Sequence, residues 1–184
     1  MLTSAQIESM PLQVFVAREA GETVNLDEIP RGKVKIEDNN WLPKPKGAFW
    51  TSSLVGSTTA WLDWCLSEMP LWIGSEAAIF RVRPCARVEV ATEENVRRLD
   101  GIYQNKGRAV CGPIKGMPLS FFDWAAFSED RDGLWLQSPE VLQLWDVEST
   151  AWLNPAVLEL LEVVKIESVE GDRLIKHSQQ EPIR

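Results

Sequence analysis

Apolar and polar positions alternate from Leu12 to Ala17, with Leu12, Val14 and Val16 on one face and Gln13, Phe15 and Ala17 on the other, which predicts a strand closed by Arg18. Arg18 continues the face of Val14 and Val16, at a strand end where a cleft residue would stand. Glu19 to Lys46 is polar and interrupted by Pro30, Gly32, Pro43 and Pro45, so it reads as a long loop with one short strand at Lys33 to Ile36. Lys46 to Ser53 predicts the next strand. It places the aromatics Phe49 and Trp50 before the hydroxyl run Thr51-Ser52-Ser53. A helix from Thr58 to Met69 follows, capped by Ser57 and stopped by Pro70, with Trp61, Trp64 and Cys65 on one apolar face. Its tryptophans are assigned to the core.

Ala78 to Arg83 and Ala86 to Val90 read as two strands separated by Pro84-Cys85, with Arg87 and Glu89 on an exposed antiparallel surface. Thr92 caps a short helix that Gly101 ends. The stretch Asn105 to Met117 gathers glycines around a short Ala109-Val110-Cys111 strand, in neither the Walker nor the dinucleotide-binding spacing. Ser120 to Asp123 opens a helix through Phe127, and Leu134 to Leu136 is a buried strand. Trp145 to Asn154 predicts a strand with Asp146, Glu148 and Thr150 on one face, so that paired carboxylates point into one space. Asn154-Pro155 starts a helix, or a passage from helix to strand, through Leu161, and Val163 to Ile166 closes the structure before a polar tail from about Glu170. The expected fold class is α+β, with mixed or antiparallel sheets and a few short helices packed on them.

With 184 residues and 45% apolar content, the chain is sized for one well-buried core, hence a single domain over residues 1–184. The net charge of −8 is concentrated in the last third, from Glu129 onward, while Arg81 to Lys115 is net basic. That balance disfavours duplex nucleic acid as a partner of the whole surface but allows a small anion on the central arginines. One histidine, His177 in the polar tail, removes Ser-His-Asp and Cys-His mechanisms, and no metal site is expected. Cys65, Cys85 and Cys111 fit neither a zinc framework nor an even disulfide scaffold and are expected to be reduced. Neither a membrane-length apolar run nor a leader-like start is present in the sequence, which sets the expectation of a cytoplasmic protein without membrane contact.

Arg18, then Phe49-Trp50-Thr51-Ser52-Ser53, then Asp146-Val147-Glu148 resembles the Arg-Ser-Glu class of ADP-ribosyltransferases. In that class a first-strand arginine precedes an aromatic, hydroxyl-rich strand and a late acid-x-Glu pair. The resemblance implies a split sheet with NAD bound as substrate in its cleft, and a protein or nucleic-acid acceptor. Arg18 would hold the NAD phosphates, Phe49 or Trp50 would wall the nicotinamide, Ser52 would brace Glu148, and Thr51 beside it would count with the NAD-binding residues. Glu148 would stabilise the oxocarbenium ion and Asp146 would orient the acceptor. The hydroxyl order here is Thr-Ser-Ser where the class has Ser-Thr-Ser, and Asp146 stands where it has glutamate or glutamine, departures that bear on the acceptor. Lys44-Pro45-Lys46-Gly47 with Trp50-Thr51-Ser52 and Trp61 to Cys65 is also similar to a group of phage and bacterial proteins without an assigned activity. The Arg-Ser-Glu resemblance implies an ADP-ribosyltransferase or an NAD glycohydrolase, of phage or bacterial effector type. The alternative is a non-catalytic, acidic, tryptophan-rich module that docks on a protein as inhibitor or accessory factor.

Overall fold

Strand residues rich in β-branched and aromatic side chains assemble one sheet of eight strands in the order β4-β5-β6-β2-β1-β3-β7-β8. They are β1 (Gln13–Val16), β2 (Phe49–Ser53), β3 (Glu76–Val82), β4 (Val88–Val90), β5 (Gly133–Leu136), β6 (Ser149–Trp152), β7 (Leu158–Val169) and β8 (Asp172–Ile175). The short helices are α1 (Ser4–Glu8), α2 (Ala60–Glu68), α3 (Glu93–Ile102) and α4 (Trp124–Asp130), which makes the fold α+β as expected. The computed structural model describes residues 1–38, 42–104, 118–119, 121–142, 144–169 and 172–176. The expected Ala109–Cys111 strand, Ser120, Cys111 and His177 lie outside the described residues.

All neighbouring strands pair antiparallel except β4 and β5, which run parallel. The joint between the two halves of the sheet is short. β1 meets β2 only at Gln13↔Ser53 and Val14↔Ser52. Beyond those pairs β1 continues along β3 through Phe15↔Ala78 and Val16↔Ala77, while the other end of β2 continues along β6 through Phe49↔Trp152 and Trp50↔Ala151. The sheet therefore opens as a fork, with β4-β5-β6-β2 on one prong and β1-β3-β7-β8 on the other.

Alternation along β3 separates two cores. Ala78 and Phe80 face a cluster with Ile7, Phe49, Val88 and Trp152, whereas Ala77 and Ile79 face Val14, Val16, Leu62 and Cys65. Leu62 and Cys65, both fully buried, are the i and i+3 positions by which α2 docks on that second face. A third cluster holds α3 and α4 against β5 through Val96, Leu99, Trp124, Phe127, Leu134 and Leu136. Phe122, Trp124 and Phe127 meet edge to face there, with Phe122–Trp124 centroids 4.7 Å apart.

Several boundaries differ from the sequence expectation. Thr59, not Ser57, caps α2, its hydroxyl accepting the Leu62 amide at 3.1 Å. Asn154-Pro155 begins only one 3-10 turn, Pro155–Val157, after which the chain extends as the long β7, whose Val163-Val164-Lys165-Ile166 run pairs with β3 and β8. Within the expected polar tail, Asp172–Ile175 forms a strand paired with Ile166–Val169, and Ile175 is buried. No strand forms at Lys33 to Ile36. That segment is held by the Val34 amide on Leu153 O at 3.1 Å and by an isolated Glu37↔Lys46 bridge. Gly101 lies within α3, which runs on to Ile102, and the helix opened near Ser120 begins at Trp124 with Asp123 as its cap. Helix α1 was not expected, although Thr3-x-x-Gln6 is a capping box and forms one.

Candidate functional site

A cavity of about 320 Å³ occupies the fork. Phe15 and Val16 of β1 and Trp50 and Thr51 of β2, the residues that would pair if the strands continued together, form its walls. Ser52 closes the floor at the joint, and Arg18 stands at the open end of β1. Lys44 and Asp146, which bridge at 3.7 Å, line another side. Thus Arg18, Trp50, Thr51, Ser52 and Asp146, drawn from three separate segments, share one hollow. Phe49 does not. Its ring is buried in the core against Phe15 at 5.1 Å and Phe80 at 5.9 Å, and it is not part of the cavity lining.

The acids do not share a strand face. β6 begins at Ser149, so Asp146 and Glu148 lie in the irregular approach to it, where Asp146, Val147 and Ser149 all line the cavity. Glu148 turns behind the Ser52 wall and accepts from several donors at once. Ser52 Oγ donates to Oε2 at 2.7 Å and the Ser53 amide to the same oxygen at 2.9 Å. Oε1 accepts from Ser53 Oγ at 2.8 Å and from Trp135 Nε1 at 2.7 Å. Four convergent donors fix this carboxylate in one orientation.

The same network runs through the joint of the fork. Gln13 Nε2 donates to Ser53 Oγ at 3.2 Å, Thr51 Oγ1 donates to Gln13 Oε1 at 2.8 Å, and Trp152 Nε1 donates to Thr51 Oγ1 at 2.7 Å. Gln13, Thr51 and Ser53 are buried, so each would cost free energy if left unpaired, and together they clamp β1 to β2 where backbone pairing is brief. Thr51 contributes its position to the cavity, while its hydroxyl is committed to this clamp.

Electrostatically the cavity is divided. Burial holds the Lys44 ammonium below its ordinary pKa, against the opposing pull of Asp146. Arg18 is exposed and, among the described residues, has no carboxylate partner. Asp146 is thus balanced by Lys44 on its side of the cavity, whereas Arg18 brings an unbalanced positive charge to the other.

Gln13 and Trp135 escaped sequence reasoning because each occupies an alternate strand position that reads as filler. A tryptophan opposite a hydroxyl-and-acid cluster was the available signal, since a buried indole N–H needs an acceptor. Glu89 was also missed. Assigned to an exposed surface, it is fully buried and takes the Met1 amino group at 2.7 Å and Arg98 and Arg131 at 3.0 Å. Of the cysteines, Cys65 and Cys85 are free; burial pushes the Cys65 thiol up to about 11, whereas Cys85 is exposed. Among the described residues no helix is long and apolar enough to cross a membrane.

The chain matches no family model, no curated protein and no solved structure, so the forked sheet and its cavity stand as the basis for any assignment.

Proposed function

We propose that the protein cleaves the nicotinamide–ribose bond of NAD, as an ADP-ribosyltransferase or an NAD glycohydrolase. The observation that carries this is the fork itself: Arg18, Ser52 and Asp146 line one hollow, and Ser52 grips Glu148 at 2.7 Å. The sheet order supports it too, since the strands leading to the arginine, the serine and the acids are β1, β2 and β6, which are consecutive neighbours.

In the proposed reaction the C–N bond breaks, nicotinamide leaves with the electron pair, and positive charge develops on the ribose. A carboxylate held in one orientation stabilises the charge as it grows, without reorganising; Glu148 is held so, behind Ser52 at the cavity floor. Water or an acceptor nucleophile then forms the new bond at the ribose carbon, and Asp146, exposed on the cavity surface, takes its proton. Arg18 binds the diphosphate, for which a guanidinium supplies two parallel donors. The cavity lies at the small end of the roughly 300–1,000 Å³ of ligand sites, so a dinucleotide would be enclosed at its reacting half and extend past Arg18.

The interaction-module alternative rests on the exposed Leu71 and Trp72, but a cavity lined by Arg18, Ser52 and Asp146 favours the enzyme, although Glu148 reaches that cavity only through Ser52. Incubation with NAD is expected to release nicotinamide, and Arg18→Ala is expected to lower the rate by raising KM. Absence of nicotinamide release, together with no shift in melting temperature at millimolar NAD, would remove the assignment.

A further inference from the structure

Four indoles line the cavity, and they fall into two groups on different segments. Trp50 and Trp145 form an edge-to-face pair at 4.8 Å on the side of Lys44 and Asp146. Trp61 of α2 and Trp72 of the 3-10 turn Pro70–Trp72 lie 6.4 Å apart with planes 28° from parallel. Trp64, 5.3 Å from Trp61 and 6.4 Å from Trp72, backs them. Trp61 and Trp64 are assigned to the core from sequence, yet Trp72 beside them is 45% exposed and both Trp61 and Trp72 open onto the hollow.

Backbone bonds tie this aromatic wall to the segment that carries Arg18. The Ala20 amide donates to Leu71 O at 3.0 Å and the Gly74 amide to Ala17 O at 2.7 Å, so the residues flanking Arg18 are fastened on both sides to the 71–74 stretch. A rigid, half-exposed indole face next to a guanidinium without a carboxylate partner suits a planar neutral ring joined to an anion. A cationic ring such as nicotinamide would be repelled by Arg18 and belongs instead on the Asp146 side of the cavity.

We infer that Trp72, supported by Trp61, is a base-stacking subsite that takes the purine of a purine nucleotide, with Arg18 on the attached phosphate. In the NAD reading it is the adenine end, and to that extent the inference rests on the proposed function. Its binding test does not. AMP and nicotinamide mononucleotide serve as separate probes, titrated calorimetrically against the wild type, Trp72→Ala and Trp72→Phe, with nicotinamide release from NAD followed in parallel. Base–aromatic stacking is lost with the ring, so Trp72→Ala is expected to weaken AMP by tenfold or more, Trp72→Phe by much less, and neither to change nicotinamide mononucleotide. The inference is overturned if the wild type does not bind AMP, if Trp72→Ala binds it as well as the wild type, or if both probes weaken together. Cleavage of NAD without Trp72-dependent AMP binding would sink this subsite alone, and Trp72-dependent AMP binding without cleavage would sink the proposed reaction alone.

Discussion

Ser52 Oγ lies 2.7 Å from Glu148 Oε2, and the same carboxylate receives Ser53 and the indole N–H of Trp135 on its other oxygen. Glu148 therefore joins three strands, β2, β5 and the entry to β6, in addition to any part in chemistry.

That arrangement makes Glu148→Gln a structural as well as a functional change. An amide turns one oxygen into a donor, and each oxygen already faces two donors, so one N–H pair must oppose another. The expected cost is about 1–3 kcal/mol, a melting temperature lower by roughly 2–4 °C for each kcal/mol in a chain of this size. Trp135→Phe should cost about 1 kcal/mol, since it removes a single donor. Thermal melts of the two variants check this. A Glu148→Gln protein as stable as the wild type would show that the donors do not hold the carboxylate, and activity lost in that background would then be chemical alone.

How much of this was legible in the sequence follows from what periodicity can register. The Val14/Val16 face, the Thr51-Ser52-Ser53 run at the end of β2 and the Thr92 cap of α3 are local, and the structure has them where alternation and capping put them. The convergence of Arg18, Ser52 and Asp146 on one hollow depends on β1 parting from β2 after two pairs, which no local pattern specifies. Phe49 is absent from the cavity because its ring is packed on Phe15 and Phe80 in the core, a tertiary contact that the sequence of β2 does not specify, whereas Trp50 lines the cavity. Asp146 and Glu148 looked like strand neighbours because their spacing of two fits a strand. The chain becomes regular only at Ser149, where pairing with Leu136 begins.

Glu89 sets an acid limit on stability. Burial alone would raise its carboxyl, but bonds from the Met1 amino group, Arg131 and Arg98 outweigh it and hold it below the usual range. A carboxyl depressed in the folded state contributes stability above its unfolded value, about 4.3, and loses it as the pH falls through the folded value. Asp132, lowered by Arg87 and Asn154 against its own burial, acts in the same direction. Glu89→Gln is expected to cost about 3 kcal/mol at pH 7, the low end for breaking a buried pair because the cations reach solvent. Urea unfolding at pH 7 and pH 3 tests this: the variant should lose less stability than the wild type between the two.

Asp100 has the opposite sign. Burial raises its carboxyl, with the Leu119 amide, 3.1 Å away, pulling the other way. A raised acid penalises the folded state at neutral pH, and the penalty fades as the pH falls through the folded value. Leu119, buried and at φ +60°, needs that acceptor to satisfy its amide. Asp100→Asn keeps the acceptor and removes the charge, so it should melt at or above the wild-type temperature at pH 7 and lose that advantage toward pH 3. Asp100→Ala, which leaves the Leu119 N–H unpaired, should instead be destabilised by about 1–3 kcal/mol. A destabilised Asp100→Asn would show that the charge itself is needed.

Gly74 links packing to the cavity without lining it. A Cβ built there would meet Ala17 Cβ at 2.5 Å, Ala17 O at 2.7 Å and Glu22 O at 2.8 Å, two of them backbone atoms that cannot swing away. Ala17 precedes Arg18 and its carbonyl accepts the Gly74 amide, so relief must come by moving the end of β1 outward. Gly74→Ala is expected to cost about 1–3 kcal/mol as overpacking and to weaken anion binding at Arg18 severalfold. Gly32→Ala, where a Cβ would have nothing within 4 Å, is the matched control and should change neither. Melting temperature and AMP titration on both variants decide the matter. If Gly74→Ala is destabilised but binds AMP as the wild type does, then the position of Arg18 does not govern anion capture in the fork.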